Sequence, residues 1–408
     1  MNMENITLLG SSSGRNSGDA ALMAAIMNDV DRACGRRLRY DIPTLRPDYV
    51  RDHYPNRTRP VGMMPWHGAI RMLGLPTARS LLRTDAVILF DAVLFDRDLF
   101  NPLFNFMSSL YLLLPLAARR GIPIIGYNVG IGPIHTRAGR HMLRSIAESM
   151  RFITVRDSDS LELLREAGVR NPRIRLTADA ALNAPAWEDS LVDPILESVG
   201  LKPGEPLLGI NINRYLDTWA SPGRVSMGRE AFLSTYARAL SEVIERIRVP
   251  VVLVTTQHHD VEISEELIRR LPGGARTALI DNRKVDHAAI KGVLRRLSLL
   301  CGMRLHSLIL ASSERTPVIG LTYQPKVAYY FRELGLPEQT LSFDEFRPDT
   351  LRDHILQGWE KREALREVLN MRIPVLQAKA GLSAKWMAAL DRGEWSESMV
   401  SEPETRFP

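Results

Sequence analysis

Cysteine is almost absent from this chain: only Cys34 and Cys301 occur among 408 residues. Two distant cysteines cannot build a disulfide framework, and neither stands at the spacing of a metal-ligand motif. The cysteines therefore favour a reducing compartment. We also expect no metal, because no cluster of ligand residues appears in the sequence, and no cofactor.

Long apolar runs are also missing. The most apolar stretch, residues 110–118, is broken by Pro115 and is far shorter than the ~20 residues that span a bilayer. Residues 1–5 carry no positive charge, and the apolar run at residues 6–9 is too short for a secretion signal. These features predict a cytoplasmic protein and leave open a peripheral contact with the inner face of the membrane.

Charge of one sign is not concentrated anywhere in the sequence. Lysine and arginine number 53 and acidic residues 47, for a net charge of +6 without a basic block. This balance predicts no role in nucleic-acid binding and suits anionic small molecules or an acidic membrane surface. At roughly 150 residues per domain, the length predicts two domains.

What the sequence does contain is an alternation of short apolar runs and amphipathic stretches, which is typical of βαβ units in a parallel sheet. In the first half, it predicts strands at 6–10, 86–90, 122–127, 152–155 and 174–177, with helices at 20–30, 102–119, 138–150 and 158–167. In the second half, it predicts strands at 207–212, 251–255 and 318–321, with helices at 229–246, 262–271, 288–297 and 305–313.

A proline-rich, acidic segment separates the two halves and is the best candidate for a linker. We predict an N-terminal Rossmann-like domain over 1–185, a linker over 186–206 and a C-terminal Rossmann-like domain over 207–348. Residues 349–408 are expected to form helices and a tail that is disordered after residue 394.

Arg304 and His306 stand two positions apart, just after the apolar residues 297–300. A guanidinium offers a planar fork of donors that fits phosphate or carboxylate, and an imidazole carries a proton near neutral pH. If residues 301–306 are extended, both side chains lie on one side and Leu305 packs on the other. The pair predicts chemistry on a phosphate-bearing small molecule. The alternative is two solvated loop side chains.

Polar residues also follow two strands of the first half. In residues 10–19, glycines allow a ligand to approach closely and a helix start offers N–H groups to an anion, so Asn16 and Asp19 are candidate binding residues. The alternative is a tight turn that Asp19 caps. Asp91, Asp96 and Asp98 follow the predicted strand 86–90, at the sheet rim where a general base or a metal ligand would lie. Surface solvation is the alternative for at least two of them.

Three basic residues occupy similar positions after other strands. Arg156 lies where a strand meets a helix, which suits a second anion-binding arginine, and either Asp157 or Ser158 beside it suits a helix N-cap. His258 is placed to hydrogen-bond a sugar hydroxyl, although a plain polar loop explains it as well. Its neighbour His259 would face the opposite way, so the two are not expected to bind one metal. Lys326 follows the last predicted strand.

Several short motifs occur in a fixed order along the chain. They are Gly14-Arg15-Asn16-Ser17-Gly18-Asp19, Gly130-Ile131-Gly132-Pro133, Thr154-Val155-Arg156-Asp157-Ser158, Thr177-Ala178-Asp179, Thr256-Gln257-His258-His259-Asp260, Arg304-Leu305-His306 and Tyr323-Gln324-Pro325-Lys326. This ordered set, which covers roughly residues 5–345, resembles the polysaccharide pyruvyl transferase family.

The resemblance implies an α/β fold of two Rossmann-like doubly wound domains facing a cleft, similar to the glycosyltransferase-B arrangement. It places the acceptor on the N-terminal side and the donor on the C-terminal side. It implies transfer of a pyruvyl group from phosphoenolpyruvate to a saccharide as a ketal, in bacterial cell-surface polysaccharide biosynthesis. Whether the acceptor is lipid-linked, and whether the chain forms a homo-oligomer, stay open.

The resemblance also implies roles for individual residues. Arg304 and Arg156 would hold phosphoenolpyruvate, and the backbone of Leu305 would line the same pocket. His306 would be the acid and Asp96 the base. The other candidate substrate-binding residues are Asn16, Asp19, His258 and Lys326.

Two other functions fit the same architecture. In a glycosyltransferase that uses a nucleotide sugar, Arg304 and Lys326 would bind the diphosphate and an aspartate would be the base. An inactive relative would keep the fold and bind a sugar or an anion without turnover.

Overall fold

A computed structural model describes residues 2–62, 74–101, 105–214 and 227–401. The chain divides into two compact units. The first unit comprises Met1–Gly14, Leu22–Asn183 and Leu376–Pro408, and the second comprises Arg15–Ala21 and Ala184–Val375. Neither unit is therefore built from one continuous piece of the chain.

The first unit contains a seven-stranded sheet in which every strand pairs in parallel. Its strands are β1 (Asn5–Leu9), β2 (Arg39–Thr44), β3 (Thr58–Gly62), β4 (Ala86–Leu89), β5 (Ile124–Val129), β6 (Phe152–Val155) and β7 (Ile174–Leu176). The helices along this part of the chain are α1 (Ser17–Cys34), α2 (Pro47–His53), α3 (Leu75–Leu81), α4 (Met107–Arg119), α5 (Arg137–Glu148) and α6 (Ser158–Glu166).

The second unit contains a six-stranded parallel sheet. Its strands are β8 (Leu208–Asn211), β9 (Val251–Val254), β10 (Thr277–Ile280), β11 (Leu299–Gly302), β12 (Val318–Thr322) and β13 (Thr340–Ser342). Its helices are α7 (Asp189–Ser198), α8 (Arg229–Ile247), α9 (Val261–Arg270), α10 (His287–Arg295), α11 (Leu305–Ser313), α12 (Pro325–Leu334) and α13 (Pro348–Glu360). Up to residue 401, where the described part of the chain ends, three further helices follow: α14 (Arg362–Ala380), α15 (Leu382–Arg392) and α16 (Ser398–Ser401).

Apolar runs buried on both faces explain why both sheets are parallel. The strands β4 (AVIL) and β9 (VVLV) are buried along their whole length, as expected where helices cover both faces of a parallel sheet. Polar side chains after some of these strands cap the N-terminus of the next helix. Asp157, for example, accepts a hydrogen bond from the backbone N of Ser160 at 2.8 Å, which confirms its predicted N-cap role.

Both sheets share a topology that determines where ligands bind. The strand orders are β3-β2-β1-β4-β5-β6-β7 and β10-β9-β8-β11-β12-β13. Each follows the doubly wound order: the chain first adds strands on one side of the first strand and then adds the remaining strands on its other side. The ends of β1 and β4, and of β8 and β11, therefore flank the position where such sheets form a binding crevice.

The prediction omits four observed strands, β2, β3, β10 and β13, and other elements differ from it in their bounds. The predicted helix at 102–119 is observed as Met107–Arg119, and residues 102–104 lie outside the described residues. The predicted linker contains α7, which packs on α10. The predicted disorder after residue 394 is wrong up to residue 401, because α16 is ordered there and Val400 is buried. Residues 402–408 lie outside the described residues.

The domain boundaries differ as well. Residues 376–401 pack with the first unit rather than forming a separate tail, and residues 15–21 belong to the second. Among the described residues, no helix is both long and apolar enough to cross a bilayer.

A buried hydrogen-bond network connects the C-terminal helices to the first sheet. Asn128, at the end of β5, has a φ of 47°. Its Oδ1 atom accepts hydrogen bonds from the hydroxyls of Thr154, Thr177 and Ser383 at 2.8, 3.0 and 2.8 Å. Its Nδ2 donates to the carbonyl of Ala380 at 2.8 Å. One amide therefore satisfies several buried groups from distant parts of the chain.

Replacing Asn128 by alanine is expected to lower the free energy of unfolding of the first unit by about 3 kcal/mol, since buried hydroxyls lose their acceptor. Alanine also tolerates the left-handed backbone poorly, at a cost of roughly 1–2 kcal/mol. Asn56→Ala is the matched control, because Asn56 has a φ of 69° but is exposed. Urea denaturation followed by circular dichroism measures both losses. Equal losses would show that the network contributes nothing.

Candidate active site

Arg304 lies at the predicted binding position of the second sheet. It is the N-cap residue of α11, two residues after β11. Its backbone N donates to Oδ1 of Asn211 at 3.1 Å, and Ser307 Oγ donates to the same atom at 2.9 Å. Asn211 is the last residue of β8. The ends of β8 and β11 are therefore joined by one buried side chain at the point where the sheet order reverses.

The guanidinium of Arg304 is held by a buried carboxylate. Its Nε atom donates to Oδ2 of Asp260, and its Nη2 atom donates to Oδ1 of Asp260 at 2.8 Å and to Oδ1 of Asn213 at 3.2 Å. Asp260 is 0% exposed, whereas the Arg304 side chain is 15% exposed. This two-pronged pair sets the plane of the guanidinium while keeping part of it accessible.

Tyr323 completes this cluster. Burial raises the pKa of its hydroxyl, while the charge of Arg304 and a hydrogen bond with Asn213 act in the opposite direction. The hydroxyl therefore stays protonated at neutral pH. Tyr323 follows β12, so the cluster draws residues from the carboxyl ends of several neighbouring strands.

His306 is not on an extended segment, so the expectation that Arg304 and His306 project from one strand face is wrong. Strand β11 ends at Gly302, and His306 is the second residue of α11. The reason is that the apolar sequence after Arg304 favours a helix directly. Leu305 is buried, as predicted, and the Nε2 atom of His306 is buried as well.

Gly18 lies directly against the imidazole of His306. A Cβ atom added to Gly18 would lie 2.1 Å from Nδ1, 2.3 Å from Cγ and 2.4 Å from Cβ of His306. Because non-bonded heavy atoms never approach so closely, only glycine at position 18 permits this packing against His306. The start of α1 and the start of α11 therefore meet around the histidine ring.

Residues 15–18 are joined to the loop after β9. Asn16 forms an antiparallel bridge with Gln257, Ser17 N donates to the carbonyl of Thr256 at 2.8 Å, and His258 N donates to the carbonyl of Arg15 at 3.0 Å. Asn16 also accepts a hydrogen bond from Gly18 N at 2.9 Å. Asn16, rather than Asp19, therefore caps this helix, and Asp19 lies in its first turn.

The other candidates of the second unit lie at the same edge of the sheet. His258 begins a short 3-10 turn that contains Asp260. Lys326 is exposed in the first turn of α12, directly after β12. The structure thus brings Asn16, Asp19, His258, Arg304, Leu305, His306 and Lys326 into one unit.

Arg156 belongs to the first unit, where it forms a buried ion pair. Its side chain is 9% exposed, its Nη1 donates to Asp179 at 2.9 Å, and its Nε lies 3.6 Å from a carboxylate oxygen of Asp157. Burial acts to lower the pKa of this guanidinium, but the surrounding carboxylates, led by Asp179, raise it above its usual value. The guanidinium also packs against Gly130, where a Cβ would lie 2.6 Å from Nη2. Because acidic side chains already pair with the guanidinium, these contacts favour a structural role for Arg156 within the first unit.

Asp96 is buried, and its carboxylate contacts the backbone just before the start of α5. Its Oδ2 atom accepts hydrogen bonds from the backbone N of His135 at 2.7 Å and of Thr136 at 2.5 Å. These two main-chain hydrogen bonds hold the carboxylate against the turn that leads into α5. The observed contacts therefore support a structural role, and nothing in this geometry supports the general base that the sequence suggests.

Three important residues were not singled out in the sequence: Asn211, Asn213 and Asp260. Asn211 is the last residue of β8, Asn213 follows two residues later, and Asp260 lies in the turn after β9. A position at the carboxyl end of a strand is the signal that could have identified them. Among the described residues, no cluster of three or more histidine, cysteine or acidic side chains is arranged to hold a metal ion. The arrangement as a whole offers an oriented guanidinium, a helix N-terminus and an imidazole, which suits an anionic substrate and proton transfer.

Comparison with known proteins identifies a matching family and solved structures that share the fold. The family model of polysaccharide pyruvyl transferase matches residues 16–325. The amylovoran biosynthesis protein AmsJ of Erwinia amylovora is 23% identical over 277 residues, which cover 62% of this chain and 62% of AmsJ. The chain thus matches less than two thirds of the length of that relative.

Solved structures share the fold over nearly the whole chain. A Listeria monocytogenes protein, provisionally assigned as a UDP-N-acetylglucosamine 2-epimerase, superposes with a TM-score of 0.63 at 15% identity and covers 96% of both chains. The UDP-GlcNAc 2-epimerase of Neisseria meningitidis gives 0.59 at 12% identity, covering 95% of this chain and 100% of that one. At such low identity, these similarities establish two Rossmann-like domains and nothing about the substrate.

Proposed function

Because the chain belongs to the polysaccharide pyruvyl transferase family, we propose that it transfers a pyruvyl group from phosphoenolpyruvate to a saccharide as a ketal. The family makes it a transferase. The similarity to AmsJ, an amylovoran biosynthesis protein, supports a role in bacterial exopolysaccharide biosynthesis. The acceptor is then an intermediate of a cell-surface glycan.

The observation that carries this proposal is the pair of Arg304 and Asp260 at the reversal point of the second sheet, with His306 in the first turn of the helix that begins after Arg304. The first N–H groups of α11 add to the hydrogen bonds that Arg304 offers an anion, and the helix dipole favours negative charge there. Because Asp260 balances the charge of the guanidinium, these directed hydrogen bonds matter more than net charge. A phosphate or carboxylate of phosphoenolpyruvate fits such a site.

The chemistry that follows uses His306 as the acid. Protonated His306 gives its proton to the methylene carbon C3 of phosphoenolpyruvate, and the positive charge develops at C2. A saccharide hydroxyl attacks C2, which forms a C–O bond, and its proton passes to water, from which His306 regains a proton. A second hydroxyl of the same saccharide then displaces phosphate from C2, and its proton leaves with the phosphate. The products are a pyruvate ketal and inorganic phosphate.

Arg304 stabilises the phosphate in this sequence. Hydrogen bonds that strengthen as charge builds on the leaving group lower the barrier rather than only the dissociation constant. Asp260 acts through Arg304, because it holds the guanidinium in one plane. We propose no residue of this chain as the base for the saccharide hydroxyl.

The decisive experiment measures phosphate release when purified protein is incubated with phosphoenolpyruvate and a pool of bacterial glycan intermediates. Acceptor-dependent release, with a ketal detected by mass spectrometry, is the expected result. Release of nucleoside diphosphate from a nucleotide sugar would instead identify a glycosyltransferase. Anion binding without either product would identify an inactive relative.

Arg304→Lys is expected to weaken phosphoenolpyruvate binding by at least about tenfold, because an ammonium cannot bind Asp260 and the donor with one planar fork. Isothermal titration measures this affinity. Arg283→Lys is the matched control, since Arg283 makes a similar two-pronged pair with Asp281 at the end of β10. Unchanged affinity in the Arg304 variant would remove this residue from donor binding.

A further inference from the structure

Helix α4 of the first unit exposes an apolar face. Leu112 and Leu116 are 67% and 38% exposed, and their spacing of four residues places them on one side of the helix. The opposite side packs in the core of the first unit through Met107, Leu110, Leu114 and Ala117. The exposed leucines are therefore not needed for the fold of this helix.

A further exposed apolar side chain, Phe100, lies near the first turn of α4. It is 74% exposed and follows Leu99, whose carbonyl accepts a hydrogen bond from Ser108 Oγ at 2.7 Å in the first turn of α4. We call Phe100, Leu112 and Leu116 the α4 patch. Large apolar side chains that are exposed together mark an interaction site more often than isolated ones do.

Basic residues border the α4 patch. Arg119 and Arg120 are exposed at the C-terminal end of α4, and residues 107–120 contain no acidic side chain. The neighbouring helix α5 carries Arg137, Arg140 and Arg144 against one acidic residue, Glu148. The two helices touch through Tyr111 and His141, whose ring centroids are 5.7 Å apart. Acidic residues offset part of this charge: Arg144 pairs with Glu148 at 3.0 Å, and exposed Asp98, two residues before Phe100, lies 3.9 Å from Arg97. Arg119, Arg120, Arg137 and Arg140 still leave an excess of positive charge on these two helices.

We propose that the α4 patch docks the protein on an anionic lipid bilayer. Leucine and phenylalanine side chains enter the boundary between headgroups and acyl chains, and arginines contact lipid phosphates, as in helices that lie in a membrane interface. A second copy of the chain is a poorer occupant, because it would bring the same positive charges into contact. The proposal concerns the first unit and does not depend on the transfer reaction.

The test is co-sedimentation of the full-length protein with vesicles of phosphatidylglycerol and phosphatidylcholine. We expect binding to these vesicles and much weaker binding to vesicles of phosphatidylcholine alone. The double variant Leu112→Gln/Leu116→Gln is expected to lower the partition coefficient by on the order of tenfold or more, since the apolar contact is lost. Each of Arg119→Gln and Arg120→Gln is expected to lower it by about fivefold, which corresponds to ~1 kcal/mol per charge.

The matched control is Leu191→Gln/Met371→Gln, which changes two exposed apolar residues, 55% and 67% exposed, in the second unit. It should bind vesicles like the unchanged protein. Circular dichroism confirms that each variant is folded. No binding to the anionic vesicles, or equal binding by the α4 variant and the control, would overturn the proposal. So would light scattering that shows a dimer which the α4 variant loses, because a second copy would then cover the patch.

Discussion

Replacing His306 by glutamine is expected to slow phosphate release from phosphoenolpyruvate by about 10²–10⁴-fold, the usual contribution of a positioned proton donor. Glutamine keeps polarity and similar size but cannot deliver a proton near neutral pH. The affinity for phosphoenolpyruvate should change little, because Arg304 keeps its bonds to Asp260 and Asn213. Phosphate release under saturating donor and acceptor measures the rate, and titration of the donor measures the affinity.

His354→Gln is the matched control for that variant. His354 is a largely buried histidine on α13 of the same unit and has no part in the proposed chemistry. Burial lowers the pKa of its imidazole, so it is neutral at pH 7 and its replacement removes no charge there. Turnover by the His306 variant at nearly the rate of the control would exclude proton transfer by His306.

Gly18→Ala is expected to reduce turnover by roughly a hundredfold, because small misplacements of reacting groups have effects of this size. The added methyl group would overlap Nδ1, Cγ and Cβ of His306. Rotation of the ring cannot relieve a clash that includes Cβ, so the start of α1 or of α11 must move. Overpacking of this kind also destabilises a protein by about 1–3 kcal/mol.

Gly273→Ala controls for the substitution itself, because nothing lies within 4 Å of a Cβ at Gly273. Its turnover and thermal denaturation should match those of the unchanged protein. The informative comparison is the loss of kcat in Gly18→Ala at a temperature where both variants are folded. If Gly18→Ala kept normal kcat and stability, the close packing around His306 would not matter for catalysis.

Much of the fold can be predicted from local pattern. The strand at 152–155 and the helix at 305–313 are observed with the predicted bounds, because apolar β-branched runs and continuous apolar helices give clear signals. The strand β3 is not predicted, since Pro60 and Arg59 interrupt it. A proline is tolerated there because β3 lies at the sheet edge. Pairing with a neighbour, which no local pattern shows, makes it a strand.

The candidate site is predictable only in part. Arg304 and His306 stand out by residue type and by their place after an apolar run. Their geometry is predicted only in part: the helix that begins at Leu305 is predicted, whereas the side chains of Asp260 and Asn213, which orient Arg304, are not. Asp260 is 44 positions from Arg304, so no spacing rule connects the two. Arg156 shows the opposite case: its position suggests an anion site, whereas its buried partner Asp179 becomes visible only in three dimensions.

The interleaving of the two units determines how the protein can be dissected genetically. A fragment that contains residues 184–375 alone would lack Arg15–Ala21, and with it the main-chain bond from Ser17 to Thr256 and the glycine beside His306. A fragment that ends at residue 183 would lack Ser383, which supports Asn128. Separately expressed halves are therefore each incomplete. A useful truncation must keep residues 15–21 with the second unit and residues 376–401 with the first, instead of cutting at the midpoint of the sequence.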